Sequence, residues 1–290
     1  MNICLLYITV QSAFCEKRIT LNNSFIAKKL SLLAVIACLL CQSVMAYPQT
    51  ASEITKGKLT NNIAQSVKIS TPDDFQLVAN YYAGENNRAG VLLLHGCEET
   101  SIRYANLAKK ITNKGIHTLA LDLRGFGESR SEVFSHDNIK KKAKDIISYQ
   151  NDVAALTSYW ELDILTAFNY LRTKVNKQQG ISVVAVGCSS VYAIALAEKM
   201  RLSSMVFITP KMTYSGKERY KNLIDIPSYF ISSSRHIETF QTAKELFEWN
   251  GSDQSTFQIF KNDGYDYNLL RRNAYLLDDI SAWLKTTLEP

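Results

Sequence analysis

Residues 181–191, ISVVAVGCSSV, constrain this chain more than any other stretch. Five apolar residues, mostly β-branched, run into Gly187, Cys188, Ser189 and Ser190, and the alanine-rich AIALA of 193–197 follows at once. A buried strand, a glycine, a serine and a helix in succession describe a sharp strand-to-helix turn. In such a turn the glycine lets the backbone reverse so tightly that the serine Oγ stands free at the C-terminal edge of a sheet. Ser189 takes the raised position in this reading. A second glycine usually closes the turn two residues later, and here that residue is Val191. A plain buried strand followed by a helix, with serines in the turn, accounts for the same letters.

Around this stretch the chain is globular in composition. Of its 290 residues, 46% are apolar, and no internal repeat or low-complexity tract interrupts them, so one domain with an appendage is expected. The appendage is residues 1–46. Ala27, Lys28 and Lys29 precede an apolar run over 30–40, and Val44, Met45 and Ala46 supply the small-residue pattern of a secretory cleavage site before Tyr47. That run is short against the ~20 residues a membrane span needs, so no stable span is expected in the mature chain. Export to the periplasm or the exterior follows. The alternative is a lipoprotein anchored at Cys38, because Val35, Ile36, Ala37 and Cys38 resemble a lipid-attachment box. Removing 1–46 takes away four cations and one anion, which lowers the net charge from +6 to +3 and gives no nucleic-acid signature. Four of the six cysteines leave with the same segment; Cys97 and Cys188 remain, without zinc-ligand spacing.

Along the rest of the chain, 47–65 reads as a polar leader and 66–290 as the domain. Runs at 66–70 and 76–82, joined by Thr71, Pro72, Asp73 and Asp74, predict a hairpin. Continuous apolar runs at 89–95, 117–123, 181–186, 203–208 and 227–232 predict strands buried on both faces. Amphipathic helices are expected at 104–113, 151–174, 239–249 and 269–288, with a further strand at 256–260 and a polar surface segment at 130–148. Strands alternating with helices argue for a mainly parallel sheet of about eight strands, covered on both faces, in the α/β class.

That order, with three local landmarks, resembles the α/β-hydrolase family. The landmarks are His95-Gly96 after the third strand, Asp122-Leu123-Arg124-Gly125-Phe126-Gly127-Glu128-Ser129 after the fourth, and Gly187-Cys188-Ser189 after the fifth. Few residues separate the sixth and seventh strands, so the resemblance is to compact members of the dienelactone-hydrolase or small-esterase type, with no large lid domain. It implies Ser189 as nucleophile, with the backbone N–H groups of Cys97 and Ser190 as an oxyanion hole. It also implies a carboxylate after the seventh strand and a histidine after the eighth.

Those last two slots carry the wrong residues. The acid slot holds His236, with Glu238 two residues on, and the histidine slot holds Tyr265 in Asn262-Asp263-Gly264-Tyr265-Asp266-Tyr267. A phenol with an unperturbed pKa of ~10 stays protonated at neutral pH and cannot take a serine proton as imidazole does. His95 is the family's landmark histidine, usually structural; His117 begins a buried strand, and His136 lies in the polar segment. His236 is therefore the one histidine left as a base.

Two readings compete. In the first, an exported α/β-hydrolase-fold protein has lost its triad, is weak or inactive as an ordinary esterase, and keeps a small-molecule pocket. In the second, a working carboxylesterase or acyl hydrolase uses a Ser189–His236 relay on small esters. In the family's fold the third and fifth strands are neighbours, which would put Cys97 and Cys188 near enough for a disulfide; two buried thiols are the alternative. No metal-ligand cluster and no phosphate-cradling glycine loop occurs in the sequence, so neither a metal nor a cofactor is expected.

Overall fold

The protein is described here by a computed structural model over residues 63–86, 88–261 and 264–289. Residues 1–62, which hold the signal-like segment, Cys38 and most of the expected leader, lie outside the described residues, as do Asn262 and Asp263. In chain order the elements are β1 (Gln65–Ser70), β2 (Gln76–Tyr82), β3 (Gly90–Leu94), α1 (Ala105–Thr112), β4 (His117–Leu121), α2 (His136–Lys142), α3 (Ile146–Thr157) and α4 (Trp160–Lys174). They continue with β5 (Ile181–Val186), α5 (Ser190–Lys199), β6 (Met205–Ile208), α6 (Tyr214–Tyr220), β7 (Ser228–Ser233), α7 (Ile237–Trp249), β8 (Thr256–Phe260), α8 (Tyr267–Arg272) and α9 (Leu276–Leu288).

The strands form one eight-stranded sheet in the order β1-β2-β4-β3-β5-β6-β7-β8. β2 pairs antiparallel with both β1 and β4, and every pairing from β4 to β8 is parallel. This is the mainly parallel α/β architecture expected from the apolar runs. Every residue of β3, β4, β5, β6 and β7 is buried, as strands covered on both faces require. One face packs on Trp160, Ile164, Phe168 and Leu171 of α4, with Ile194 of α5 and Leu246 of α7. The opposite face packs on Leu107 and Ile111 of α1 and on Ile280 and Leu284 of α9. Each such side chain contributes roughly 1.5–3 kcal/mol by leaving water. Only α6 and a single 3-10 turn (Lys221–Leu223) lie between β6 and β7, and no lid domain is inserted there.

Two expected helices are divided. The helix expected over 151–174 is two, α3 and α4, and the division falls where the chain must wrap a buried arginine. Arg124 has no solvent exposure; its guanidinium donates to both oxygens of Asp163 (2.7 and 3.0 Å) and of Asp73 (2.6 and 2.9 Å). The rings of Phe75 and Tyr159 lie 4.3 and 4.4 Å from it, and Trp160 Nε1 donates to its carbonyl. Seating Tyr159, Trp160 and Asp163 around one cation breaks the helical run at Ser158. The helix expected over 269–288 is likewise α8 and α9, parted at Asn273, whose side-chain amide donates to Leu269 O at 2.7 Å and ends the first of them.

The same loop explains the Asp122–Ser129 motif. Asp122 accepts from the N–H groups of Ser101 (2.8 Å) and Glu128 (3.0 Å), tying together the loops that follow β3 and β4. Gly127 has φ +52, and a Cβ there would lie 2.2 Å from the Asp122 carboxylate, so only glycine fits. Ser129 Oγ accepts from Val78 N (2.7 Å) and clips the loop to β2.

Candidate active site

The parallel strands deliver their C-terminal ends to one edge, where the loops after β3, β5, β6 and β8 meet. The chain leaves β5 at Val186 and reverses at Gly187, whose φ is +55. Ser189 already has helical backbone angles (φ −69, ψ −9), and α5 starts at the next residue. The apex of the turn is thus Gly187, two residues earlier than the position assigned to Ser189. Ser189 is fully buried, and its hydroxyl is consumed by the main chain. It accepts from Val186 N (2.9 Å) and shares its proton between Val186 O (2.9 Å) and Leu94 O (3.3 Å). Here a small hydroxyl stitches β5 to β3 under the turn.

The other expected roles shift with it. The N–H of Ser190, expected in the oxyanion hole, donates to Gly187 O as the first bond of the helix. The residue directly after the apex is Cys188. Its side chain is joined to Cys97 as a disulfide, with Cα atoms 5.8 Å apart and both residues partly exposed. The bridge thus links the residue after the elbow apex to the residue after His95-Gly96. His236 stands at the N-cap position of α7 and its ring is tilted against Tyr265, centroids 5.2 Å apart, while the Ser189 hydroxyl is bonded to main chain alone; no hydrogen bond joins Ser189 to His236.

Asp266, which in the sequence is one of several loop carboxylates able to orient a group but ordinarily just solvated, occupies the centre and is buried. Its φ of 47 and ψ of −126 turn the chain just before α8, and the residue is only 8% exposed. The carboxylate lies against the open face of Gly187: a Cβ on that glycine would fall 2.7 Å from Oδ2 and 2.8 Å from Oδ1. It also faces Gly96, beside the carboxylate of Glu99. Thr209, after β6, holds it there, donating from Oγ1 to Oδ1 (2.5 Å) and accepting from the Asp266 N–H (3.1 Å). Burial lifts the Asp266 carboxyl from its ordinary 3.8 to about 7, and Glu99 and Glu98 push the same way, against the Thr209 hydrogen bond and Lys211. Glu99 accepts from the buried Tyr104 hydroxyl. Burial and the carboxylates of Asp266, Glu238, Glu99 and Glu98 raise the Tyr265 phenol, which deepens its unsuitability as a base.

The remaining histidines are structural. His95 accepts from Leu123 N at Nε2 (3.0 Å), so Nδ1 carries the proton and donates to Gly96 O (2.6 Å); burial keeps the ring neutral. His117 binds Tyr81 Oη (2.8 Å). His136 stacks on Phe126 and binds Tyr149 Oη (2.9 Å). It also lines a cavity of about 420 Å³ between the loops that follow β3 and β4, with Glu98, Glu99, Phe126, Glu128 and Arg130. Chemically, the centre offers a carboxyl poised to gain or lose a proton near neutral pH and a disulfide, but no alcohol or thiol at the elbow's apex, Gly187. Among the described residues no group of three or more His, Cys, Asp or Glu side chains is placed to hold a metal ion. No helix among them is long and apolar enough to cross a membrane.

Comparison with known proteins agrees with this architecture. The family described as serine aminopeptidase, S33, matches residues 85–166, a segment that carries the first two landmarks and ends before β5. Among solved structures, the esterase Pf2001 of Pyrococcus furiosus is 15% identical with a TM-score of 0.55, covering 78% of this chain and 91% of its own. A predicted CIB-like hydrolase of Thermoplasma acidophilum is 16% identical (TM-score 0.56; 77% and 98% covered). A dienelactone hydrolase of Anabaena variabilis is 14% identical (TM-score 0.53; 77% and 95% covered). No curated protein matches the chain. The sheet order and these structural likenesses show the α/β-hydrolase fold, and the family match falls on the segment from 85 to 166 that carries its first two landmarks. Its structural likeness is to compact, esterase-like members that it spans almost end to end.

Proposed function

We propose that this is an exported α/β-hydrolase-fold protein that has given up acyl transfer and works by binding. The observation that carries the reading is the apex of the elbow: Gly187 offers no nucleophile, and the Asp266 carboxylate fills the space where one would stand. Covalent hydrolysis needs an activated nucleophile with a base in reach of it, and among the described residues the apex of this elbow carries no nucleophile for the Asp266 carboxylate to serve. The retained cavity beside Glu98, Glu99 and His136 suits a small molecule, with ester or acyl compounds the class the family likeness suggests. Export is supported by the signal pattern before Tyr47 and by a disulfide, a bond that persists in oxidising compartments.

Hydrolysis of p-nitrophenyl acetate by the purified mature chain, measured beside Ser189→Ala, tests the reading. Equal rates, near the uncatalysed background, are expected. A rate well above background that collapses in Ser189→Ala and in His236→Ala would restore the rearranged relay.

A further inference from the structure

At the opposite, N-terminal edge of the parallel strands the structure carries a second feature that the elbow does not explain. A cavity of about 860 Å³ opens there, lined by Arg88, Arg172, Lys177, Arg201, Ser203 and Glu289 among others. The cations come from separate connections: Arg88 just before β3, Arg172 on the last turn of α4, Lys177 before β5 and Arg201 before β6. Among the described residues Glu289, following α9, is the one carboxylate in the lining, and it is already paired with Arg88.

The other three cations have no acidic partner among the described residues. Arg172 is half-buried; it donates from Nη1 to Gln179 O (2.8 Å) and lies 5.6 Å from the Phe168 ring. Burial pulls its pKa below the ordinary arginine value, because a guanidinium has been drawn from water without a compensating carboxylate. Lys177 and Arg201 are exposed and make no ion pair. Three unpaired cations around one cleft repel each other, and an anion seated among them removes that repulsion and re-solvates Arg172. Planar guanidinium forks match phosphoryl oxygens, and a lysine with a serine hydroxyl completes a donor set of that kind. The volume is that of a small-ligand site.

We propose that this cleft binds an oligophosphate group, with Arg172 as the inner anchor, Lys177 and Arg201 closing from the rim, and the Ser203 hydroxyl as a further donor. The site shares no residue with the elbow, so it stands or falls separately from the proposed loss of acyl transfer. The group can reach it free in solution or as a phosphorylated lipid headgroup.

Isothermal titration of the full mature chain with inorganic tripolyphosphate, at fixed ionic strength, tests this, alongside flotation with phosphatidylcholine vesicles with and without phosphatidylinositol 4,5-bisphosphate. Saturable binding to either source is expected. It should weaken about tenfold or more in Arg172→Met, which keeps the stem on Phe168, and in Lys177→Ala/Arg201→Ala. It should persist in Lys140→Ala/Lys141→Ala/Lys142→Ala, which removes the chain's densest basic run elsewhere. The double variant changes only exposed side chains, so it carries the test if Arg172→Met misfolds. Binding to neither source, unaltered binding in the double variant, or loss in the triple variant would each overturn the proposal.

Discussion

Placing a side chain on the elbow apex gives the sharpest energetic test of the site. Gly187→Ser restores the alcohol of an ordinary hydrolase at the position where the fold would raise it. Two costs follow from the geometry. A non-glycine residue held at φ +55 loses roughly 1–2 kcal/mol. The new Cβ also meets both oxygens of Asp266, at 2.7 and 2.8 Å, inside van der Waals contact. Asp266 cannot swing clear without breaking its two bonds to Thr209, so this overpacking costs a further ~1–3 kcal/mol. In an Asp266→Ala background the second cost vanishes and the first remains. Urea unfolding of the four proteins at pH 7, followed by tryptophan fluorescence, should therefore give a coupling of about 1–3 kcal/mol between the two positions. Because Asp266→Ala has its own effects on Thr209, only the coupling is diagnostic. A serine that costs the same in both backgrounds would show that Asp266 does not fill the apex.

Other consequences are as direct. The Asp266 carboxyl is carried from 3.8 to about 7 on folding, so between those values the folded state binds the extra proton. Its contribution to stability then falls as pH rises through that window and stays lost above it. Asp266→Asn lacks this dependence, so its stability relative to the parent should climb between about pH 4 and 7, by at most ~4 kcal/mol, and level off by pH 8; a flat difference in urea midpoints would refute the assignment. Reducing Cys97–Cys188, whose sulfurs close a loop with a sequence separation of 91, should lower stability by about 4 kcal/mol and add two alkyl groups by mass after trapping. Arg124→Met strands the fully buried Asp163 and should cost about 3–5 kcal/mol by urea unfolding, with part recovered on adding Asp163→Leu.

The fold was legible because its signals are redundant. Fully buried parallel strands must be continuous apolar runs, and several such runs in order leave little freedom of topology. The site was less legible because its distinctions are conformational. Gly187-Cys188-Ser189 fits a turn with its apex at either end, and only the positive φ of Gly187 decides between them. Small residues at both 189 and 190 were the available hint, since a helix packed tightly under such a turn needs them. Tyr265 and Asp266 are adjacent, and the left-handed turn at Asp266 sends its carboxylate, not the phenol, toward the elbow. The division of the expected helix over 151–174 has no local signal at all; it follows from Arg124, far away in sequence, collecting Tyr159, Trp160 and Asp163 around one charge.

Phosphonylation read by intact mass bears most directly on the proposed loss of a nucleophile. The mature chain, incubated with excess fluorophosphonate at pH 8 for an hour, should keep its unmodified mass, and Ser189→Ala should be indistinguishable from it. Rapid uptake of one phosphonyl group per chain, mapped to Ser189 and abolished by His236→Ala, would contradict the account.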